Sequence, residues 1–245
     1  MKKILFFTAL AMLSLGARAQ GITQLPNPNK NAEMSLFSAL QQRRSVREYM
    51  LKEIDNNTLS QVLWAACGVN RPESGKITAP SARNVQDILL YVVKADGAYL
   101  YNPAMNTLTQ VSKKDLRKSV ASRQEDVATA PVMLVLVSDQ SKFGKSGDMD
   151  KTFGAMDAGY VSQNIYLACT ALGLGTVARA TMDEQVLKKE LNLNDSQILE
   201  LNHPIGWDKT PAKTEKLPFH LEVVGNAPQT QSPATEQPAQ QQTKP

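Results

Sequence analysis

Apolar positions along the chain follow two patterns, which are short continuous runs and helical spacing. Residues 88–93 and 132–137 are near-continuous apolar runs, which are typical of strands buried on both faces of a sheet. Residues 153–172 contain the longest helical pattern, and its small residues would allow close approach to a neighbouring helix. We predict that this helix lies at the centre of the core or of a subunit interface. The side of it that we expect to make contacts comprises Met156, Tyr160, Gln163, Leu167 and Ala171.

Shorter patterns complete the predicted elements. A helix is expected over residues 34–40, and a second helix follows that is capped by Asp55 or Asn56 and ended by Gly68. The other expectations are a loop over 70–78, a hairpin off the main sheet formed by 99–102 and 107–111, a charged helix over 113–128, a short helix capped by Asp183, and strands over 173–180, 197–205 and 218–224. Helices that alternate with strands predict a single α+β (α/β-like) domain built around one sheet.

The two ends of the chain differ in composition from the rest. Residues 1–19 have the order of an export signal, with a positive start, an apolar run too short to cross a bilayer, and a small-x-small cleavage site. We therefore expect a mature chain that begins at Gln20 and is periplasmic or secreted. A flexible arm is predicted over residues 20–32, a folded domain over 33–224, and a disordered Pro/Gln-rich tail over 225–245.

Charge and rare residue types narrow the possible functions. Removal of residues 1–19 takes away Lys2, Lys3 and Arg18 and no acidic residue, which reduces 27 basic residues to 24 against 23 acidic ones. A nearly neutral mature chain gives no global charge argument for binding nucleic acid or an anionic membrane. The sequence contains only two histidines and two cysteines, which argues against a multi-histidine metal site and against a Cys/His/Asp catalytic nucleophile. We expect both cysteines to be core residues, although export would permit a disulfide. An organic cofactor is the expected source of chemistry.

A basic segment follows the first predicted helix. Arg43, Arg44 and Arg47 surround Ser45, and arginine can hold a phosphate through two parallel hydrogen bonds. Alternation along an extended chain predicts that Arg43, Ser45 and Arg47 face a ligand while Val46 faces the core. A solvated basic turn is the alternative interpretation of this segment alone.

Four stretches in this order give the chain a resemblance to the FMN-dependent nitroreductase family. They are Arg43-Arg44-Ser45-Val46-Arg47, Ala79-Pro80-Ser81-Ala82-Arg83-Asn84-Val85-Gln86, Ala171-Leu172-Gly173-Leu174-Gly175-Thr176 and His203-Pro204-Ile205-Gly206-Trp207. The resemblance covers residues 34–224. It implies a nitroreductase-type fold, with a central mixed sheet flanked by helices, in a domain-swapped homodimer with FMN at the subunit interface. Residues 219–224 would then reach the partner's sheet edge.

The resemblance also implies roles for individual residues. Arg43 and Ser45 would hold the FMN phosphate and ribityl end with Arg44, while Arg47 would lie near N1 and O2 of the ring. Ser81 would start the turn that brings Asn84 to the ring edge or the ribityl hydroxyls. Lys216, or Lys213 as a second choice, would supply a further phosphate-binding cation.

The chain departs from the family pattern at three places. Arg179-Ala180 replaces a frequent Glu-Gly pair whose backbone N–H groups meet N5 and O4 of the ring. The backbone could still serve, and the Arg179 side chain would tune the flavin or contact substrate. Gln86-Asp87-Ile88 replaces Gln-Pro-Trp. Residues 63–68 and 97–101 look like the azoline-dehydrogenase branch, whose Ser-Ala-Gly-Gly turn is absent.

The resemblance implies an enzyme, an FMN-dependent oxidoreductase in which hydride passes through flavin N5. NAD(P)H would be the donor, and a nitroaromatic, quinone or similar small molecule the acceptor, bound in turn in a ping-pong cycle. No acid–base catalytic residue is expected. Because nicotinamides are cytosolic, export leaves two alternatives open, an exported dehydrogenase or oxidase with a non-nicotinamide partner, and a non-catalytic flavin-binding protein.

Overall fold

The computed structural model describes residues 21–31, 33–144 and 147–210 of the 245-residue chain. The predicted signal peptide, the tail, Lys213, Lys216 and residues 219–224 all lie outside the described residues. The proposed domain boundaries therefore stay predictions.

Three of the described helices begin at a residue whose side chain accepts from a free backbone N–H group. Among the described residues the helices are α1 (Leu36–Gln42), α2 (Asn56–Cys67), α3 (Arg117–Ala121), α4 (Asp148–Ala171) and α5 (Glu184–Glu190). Asp55 caps α2 by accepting from the Thr58 N–H at 2.9 Å, and Asp183 caps α5 by accepting from Val186 at 3.1 Å. Helix α2 ends at Gly68, as the sequence predicts.

One antiparallel sheet forms the centre of the fold. The strands are β1 (Ile22–Gln24), β2 (Val69–Arg71), β3 (Lys76–Ile77), β4 (Ile88–Lys94), β5 (Gly97–Asn102), β6 (Thr107–Ser112), β7 (Val132–Asp139), β8 (Leu174–Thr176) and β9 (Gln197–Trp207). Seven of them pair in the order β1-β6-β5-β4-β7-β9-β8, and β2 pairs with β3 separately. The expected α+β class is confirmed. The expected mixed character is not seen, because every pairing among the described strands is antiparallel; the short turns between β4, β5 and β6 allow no other arrangement.

The core lies on both faces of this sheet. Along β7, Leu134 and Leu136 belong to one buried cluster, while Met133 and Val135 belong to the other. Helices α2 and α4 cover the first face, and α3 and α5 cover the second. The central strands therefore read as continuous apolar runs because both of their faces are covered.

Several local expectations need correction. The hairpin expected off the main sheet is β5–β6 and continues the main sheet beside β4. The loop expected over 70–78 contains the β2–β3 hairpin, whose turn has Gly75 in the left-handed region at φ 63°. The arm expected to be flexible contains β1, which pairs with β6 and is followed by buried Leu25. The helix expected over 113–128 is interrupted where Ser122 adopts φ 53°.

Both cysteines are free and fully buried in the cluster under α2 and α4. Burial raises the pKa of the Cys67 thiol to about 12 and also raises that of Cys169. They are inert core residues, as the sequence predicts. Within the described ranges, no helix is long and apolar enough to span a bilayer, and no group of acidic, His and Cys side chains could hold a metal ion.

Candidate functional site

The basic segment over residues 43–47 leaves α1 and runs beside β8. The Val46 N–H donates to the Thr176 carbonyl at 2.9 Å, and the Val46 side chain is buried against Gly175. A Cβ at position 175 would lie 2.4 Å from Val46 Cγ1, so glycine permits this contact. Ser45 and Arg47 are exposed. The alternation predicted from sequence therefore holds, since Val46 enters the core and its neighbours do not.

Tyr166 of α4 connects this segment to the chain after β8. Its hydroxyl lies 3.0 Å from Ser45 Oγ and accepts from the Ala178 N–H at 2.9 Å. The Arg43 guanidinium lies 5.1 Å from the centre of the Tyr166 ring. Because Tyr166 accepts from Ala178, it can donate its own proton to Ser45. The Ser45 hydroxyl then keeps its proton for a ligand.

Buried polar residues fix the position of Tyr166. The edge of its ring meets His203, with 5.3 Å between ring centres. The two His203 nitrogens lie 2.8 Å from Ser162 Oγ and 3.0 Å from Thr176 Oγ1. Complete burial lowers the pKa of His203 to about 3, which keeps the imidazole neutral. This network supports the basic segment through the Tyr166 hydroxyl.

Arg44 is engaged within the chain. Its guanidinium pairs with Asp208 at 2.6 Å and also donates to the Thr210 carbonyl and, at 3.3 Å, to its hydroxyl. These contacts tie the basic segment to the chain after β9. Arg44 therefore anchors the basic segment, whereas the family resemblance implies a place for it beside the phosphate.

A second part of the candidate site is the turn over residues 81–86. Ser81 is at the start of this turn, and its Oγ accepts from the Gln86 N–H at 2.9 Å, which closes the turn. Asn84 has φ 55° and an exposed side chain, so its amide can contact a ligand. Ala82 of this turn contacts Asp157 of α4, nine residues before Tyr166. At 1.5 Å per residue, the two parts of the site lie about 14 Å apart along α4.

Arg179 does not occupy the place expected for it. Its side chain is only 7% exposed and donates to the Val120 and Ala121 carbonyls, at 3.1 and 2.6 Å. It also donates to Asn202 Oδ1 at 2.8 Å and Gln124 Oε1 at 2.6 Å. The Val120 and Ala121 carbonyls lie at the end of α3, so the guanidinium completes that helix terminus. Burial lowers the pKa of Arg179. The expectation of a flavin-tuning or substrate-binding side chain is corrected to a structural role.

The backbone of Arg179 is also occupied. Its N–H donates to the Asn202 carbonyl at 2.9 Å, and its carbonyl accepts from Asn202 at 2.7 Å. The next residue, Ala180, is exposed. Of the Arg179-Ala180 pair, only the Ala180 N–H therefore keeps the expected opportunity to meet a ligand.

Sequence reasoning missed Tyr166 and the residues beneath it. On the side of α4 that the sequence predicts to contact the core or a partner subunit, Met156 and Tyr160 are 53% and 50% exposed. The buried stripe comprises Ala158, Val161, Ile165 and Cys169. The spacing of these four at three and four residues was the available signal, and it would have placed Tyr166 at the edge of the buried face.

Large apolar side chains are exposed on α1 and on α4, two helices that contact each other, and together they are called the apolar face here. Its members are Leu36, Phe37, Leu40, Met156 and Tyr160, and Phe37 is 81% exposed. Such a face is unusual on a monomer surface and is typical of a site that another protein surface covers. Of the two positions predicted for this side of α4, the core of a single chain is excluded for Met156 and Tyr160, and a subunit interface stays a prediction.

Together these features define a class of protein. An α+β domain with a wide antiparallel sheet presents arginines and a hydroxyl at one place and an amide-bearing turn at another. Such donor sets suit an elongated ligand with an anionic end and a polar end.

Comparison with known proteins identifies the family. Residues 40–207 match the model of the nitroreductase family. A “putative nitroreductase” of Methanocaldococcus jannaschii is 30% identical over 184 residues, which cover 71% of this chain and 91% of that protein. The chain belongs to the nitroreductase family and is, as such, an oxidoreductase of the flavin-using type.

Solved structures show the same architecture. A nitroreductase crystal structure from Ralstonia eutropha JMP134 superposes with a TM-score of 0.73 at 32% identity and covers 85% of this chain and 97% of that chain. A nitroreductase family protein from Clostridium difficile 630 has a TM-score of 0.54 at 20% identity and covers 79% of this chain and 98% of that one. The second similarity supports the fold alone.

Proposed function

We propose that this protein is an FMN-dependent oxidoreductase that passes hydride from NAD(P)H to a nitroaromatic, a quinone or a similar small acceptor. One observation carries the proposal. Ser45 and Arg43 meet at Tyr166, on a segment that the buried Val46 holds against β8. This arrangement presents a cation and a hydroxyl donor together at the surface.

The residues present fit FMN. A phosphate monoester needs charge-assisted donors, which Arg43 and the Ser45 hydroxyl supply. Arg47 is exposed on the same segment, and its neighbour Glu48 pairs with Lys209 at 3.6 Å. Asn84 offers both a donor and an acceptor to the polar edge of a ring. Lys216, which lies outside the described residues, remains a proposed further phosphate ligand.

Bound FMN supplies hydride transfer at its N5 atom. The chain's own residues would bind and orient it, and Arg47 would place a fixed positive charge beside N1 and O2, where the reduced ring is negative. Neutral, buried His203 would position Tyr166 and take no part in proton transfer. Donor and acceptor would bind in turn at the same place.

The exposed apolar side chains on α1 and α4 support a homodimer. The face of Leu36, Phe37, Leu40, Met156 and Tyr160 leaves large apolar side chains in water. We propose that two copies pack through this face and enclose FMN between them. Phe37→Asp should shift the protein from dimer to monomer in light scattering. Exposed Met105, on the β5–β6 turn, gives the control Met105→Asp, which should stay dimeric. A wild-type flavin-loaded monomer would contradict the proposal.

The decisive experiment is an anaerobic visible spectrum of residues 20–245 with FMN, before and after NADH and then NADPH. Bleaching of the flavin band supports the reductase cycle. Ser45→Ala and Arg43→Ala should each weaken FMN binding about tenfold or more, equivalent to about 1.4 kcal/mol. Lys188→Ala, which removes an exposed cation on α5, is the matched control and should bind normally. No FMN uptake by the wild-type protein would refute the proposal.

A second candidate follows from the export signal pattern in residues 1–19. A periplasmic or secreted location would remove the protein from cytosolic nicotinamide. The function would then be that of a dehydrogenase or oxidase that uses a quinone or oxygen, or that of a flavin-binding protein without turnover. A flavin band that neither NADH nor NADPH bleaches would favour these alternatives. If an exported substrate then reduces the bound flavin, the protein is a dehydrogenase or oxidase. If no substrate reduces it, the protein is a flavin-binding protein without turnover.

A further inference from the structure

The turn over residues 81–86 has an unusual backbone. Arg83, Asn84 and Gln86 have φ values of 54°, 55° and 51°. Residues other than glycine rarely adopt this region, and they keep it only where surrounding contacts hold them. The proposed FMN contact Asn84 is one of the three. The contacts that hold this turn therefore bear directly on the site.

A buried carboxylate provides the central contact. The Ala82 N–H donates to both oxygens of Asp157, at 3.1 and 2.9 Å. Asp157 belongs to α4 and is only 2% exposed. The other end of the turn is closed by Ser81 and by Lys142, whose Nζ donates to the Gln86 carbonyl at 2.7 Å. Asp157 thus joins the turn to the same helix that contains Tyr166.

A second carboxyl group, that of Asp87, faces the same part of α4. It accepts from Ser138, whose Oγ would lie 2.3 Å from a Cβ at Gly154, and Asp157 follows Gly154 by three residues, about one helical turn. Asp87 follows the turn directly and is completely buried. The Asp87 Oδ2 atom accepts from Ser138 Oγ at 2.5 Å. Ser138 Oγ in turn accepts from Gln140 Nε2 at 2.6 Å. The Asp87 Oδ1 atom is buried and has no donor among the described residues. Burial, with the adjoining Asp157 carboxyl, raises the pKa of Asp87 to about 7.

These contacts fix the direction of the Ser138 hydrogen bond. The Ser138 hydroxyl donates to Asp87 Oδ2, because its own oxygen already accepts from Gln140. Asp87 Oδ1, which no group donates to, can itself bear a proton and donate it to Asp157. Asp157 would then accept from both Ala82 and Asp87. Two adjoining buried carboxyl groups that share one proton avoid the repulsion of two charges.

We propose that Asp87 and Asp157 share one proton and that this carboxyl pair is a positioning device, which holds the turn over residues 81–86 so that Asn84 meets FMN. The inference rests on the proposed function. Loss of the shared proton places two negative charges in contact. Separation of the carboxyl groups then releases Ala82 and loosens the turn.

Other charged groups surround the pair without neutralising it. On the turn, Arg83 pairs with Asp150 of α4 at 3.2 Å. In the segment after β7, Lys142 is engaged with the Gln86 carbonyl. Asp139 of β7 accepts from the Ser141 hydroxyl at 2.6 Å, while its N–H donates to the Asp87 carbonyl at 3.0 Å. Within the described residues, the shared proton is therefore the group that offsets the second charge.

FMN affinity measured by flavin fluorescence between about pH 6 and pH 8 tests the proposal. The wild-type protein should lose affinity about tenfold as the shared proton leaves. Asp87→Asn, whose amide can donate to Asp157 permanently, should bind like the low-pH wild type across the whole range. The matched control Asp96→Asn changes an exposed carboxylate on the β4–β5 turn and should follow the wild type. Asp87→Asn with an unchanged pH profile would overturn the proposal.

Two further variants separate positioning from folding. Asp157→Ala removes the acceptor for Ala82 and should weaken FMN binding at least tenfold at every pH. Asp157→Asn keeps an acceptor for Ala82 and a donor for Asp87, so it should fold and bind with a flat pH profile. An Asp157→Ala protein that folds and binds FMN like the wild type would overturn the positioning role.

Infrared spectroscopy of the apoprotein tests the proton itself. A protonated buried carboxyl gives a carboxylic C=O band that should disappear on titration through about pH 7 and be absent in Asp87→Asn. Absence of the band from the wild type at low pH would refute the shared proton. If the wild-type protein binds no FMN at any pH, the proposed function fails and the positioning role fails with it, while this band still decides the carboxyl pair.

Discussion

Replacement of Arg179 by methionine separates a structural role from a role at the flavin. In the structure its guanidinium donates to two carbonyls at the end of α3 and to Asn202. Methionine has a similar length and fills the space, but it donates no hydrogen bond. The variant should therefore lose stability without a direct effect on the flavin.

The magnitude follows from the acceptors left behind. The Ala121 carbonyl keeps a donor, because it also accepts from the Gln124 N–H at 3.1 Å. The Val120 carbonyl and Asn202 Oδ1 lose the donor that the structure shows for them. An unsatisfied buried acceptor costs about 1–3 kcal/mol. Removal of a buried charge recovers part of this loss. We expect a net loss of about 3 kcal/mol.

Urea denaturation of the apoprotein measures this loss. With a slope of about 3 kcal/mol per molar urea, the midpoint should fall by about 1 M. Arg47→Met is the matched control, since Arg47 is exposed, and its stability should change by less than about 0.5 kcal/mol while its FMN binding weakens. The reasoning is refuted if Arg179→Met is as stable as the wild type and shifts the flavin reduction potential instead.

Three further predictions test the support of the site. Gly175→Ala would place a Cβ 2.4 Å from Val46 Cγ1 and should cost about 1–3 kcal/mol in denaturation and weaken FMN binding; an unchanged protein would contradict the close contact. Asp55→Ala should remove the α2 cap and lower the free energy of unfolding by about 1 kcal/mol, whereas FMN affinity should not change. His203, with its pKa lowered from 6.5 to about 3, binds a proton more readily in the unfolded chain. Its contribution to stability is therefore present above about pH 6.5 and is lost as the pH falls towards 3, so His203→Gln should flatten the acid limb of the stability profile; an equally steep limb would argue against a neutral His203.

The strongest parts of the fold were predictable because they depend on local patterns. The strands β4 and β7 are apolar at every central position, and both faces of each are covered by helices. The caps Asp55 and Asp183 act on N–H groups three residues away. In contrast, β1 has three residues and exposed side chains, so no pattern distinguishes it from an arm. Its pairing depends on β6, more than eighty residues along the chain.

The candidate site was predictable from sequence only where residues close together in the chain determine which side chains face outward. Alternation places Val46 inward, and the segment itself then presents Ser45 and Arg47. The partner of Arg44, Asp208, lies 164 residues away in the sequence, and the carbonyls that accept from Arg179 lie 58 and 59 residues away. No local spacing in the sequence indicates these partners. Ser45 and Tyr166 are likewise 121 residues apart. A side chain's residue type indicates that it can bind an anion, but only the fold shows whether another part of the chain already binds it.

This distinction changes the expected charge of the site. Four arginines were candidates for FMN, but Arg44 pairs with Asp208 and Arg179 is buried against α3. Arg43 and Arg47 remain, the first beside Tyr166 and the second four residues further along the chain. Two cations on one segment suit a ligand with charge at two places, a phosphate at one end and a ring that becomes negative on reduction at the other. Four unpaired arginines would instead favour a more highly charged polyanion, and the two internal contacts exclude that arrangement.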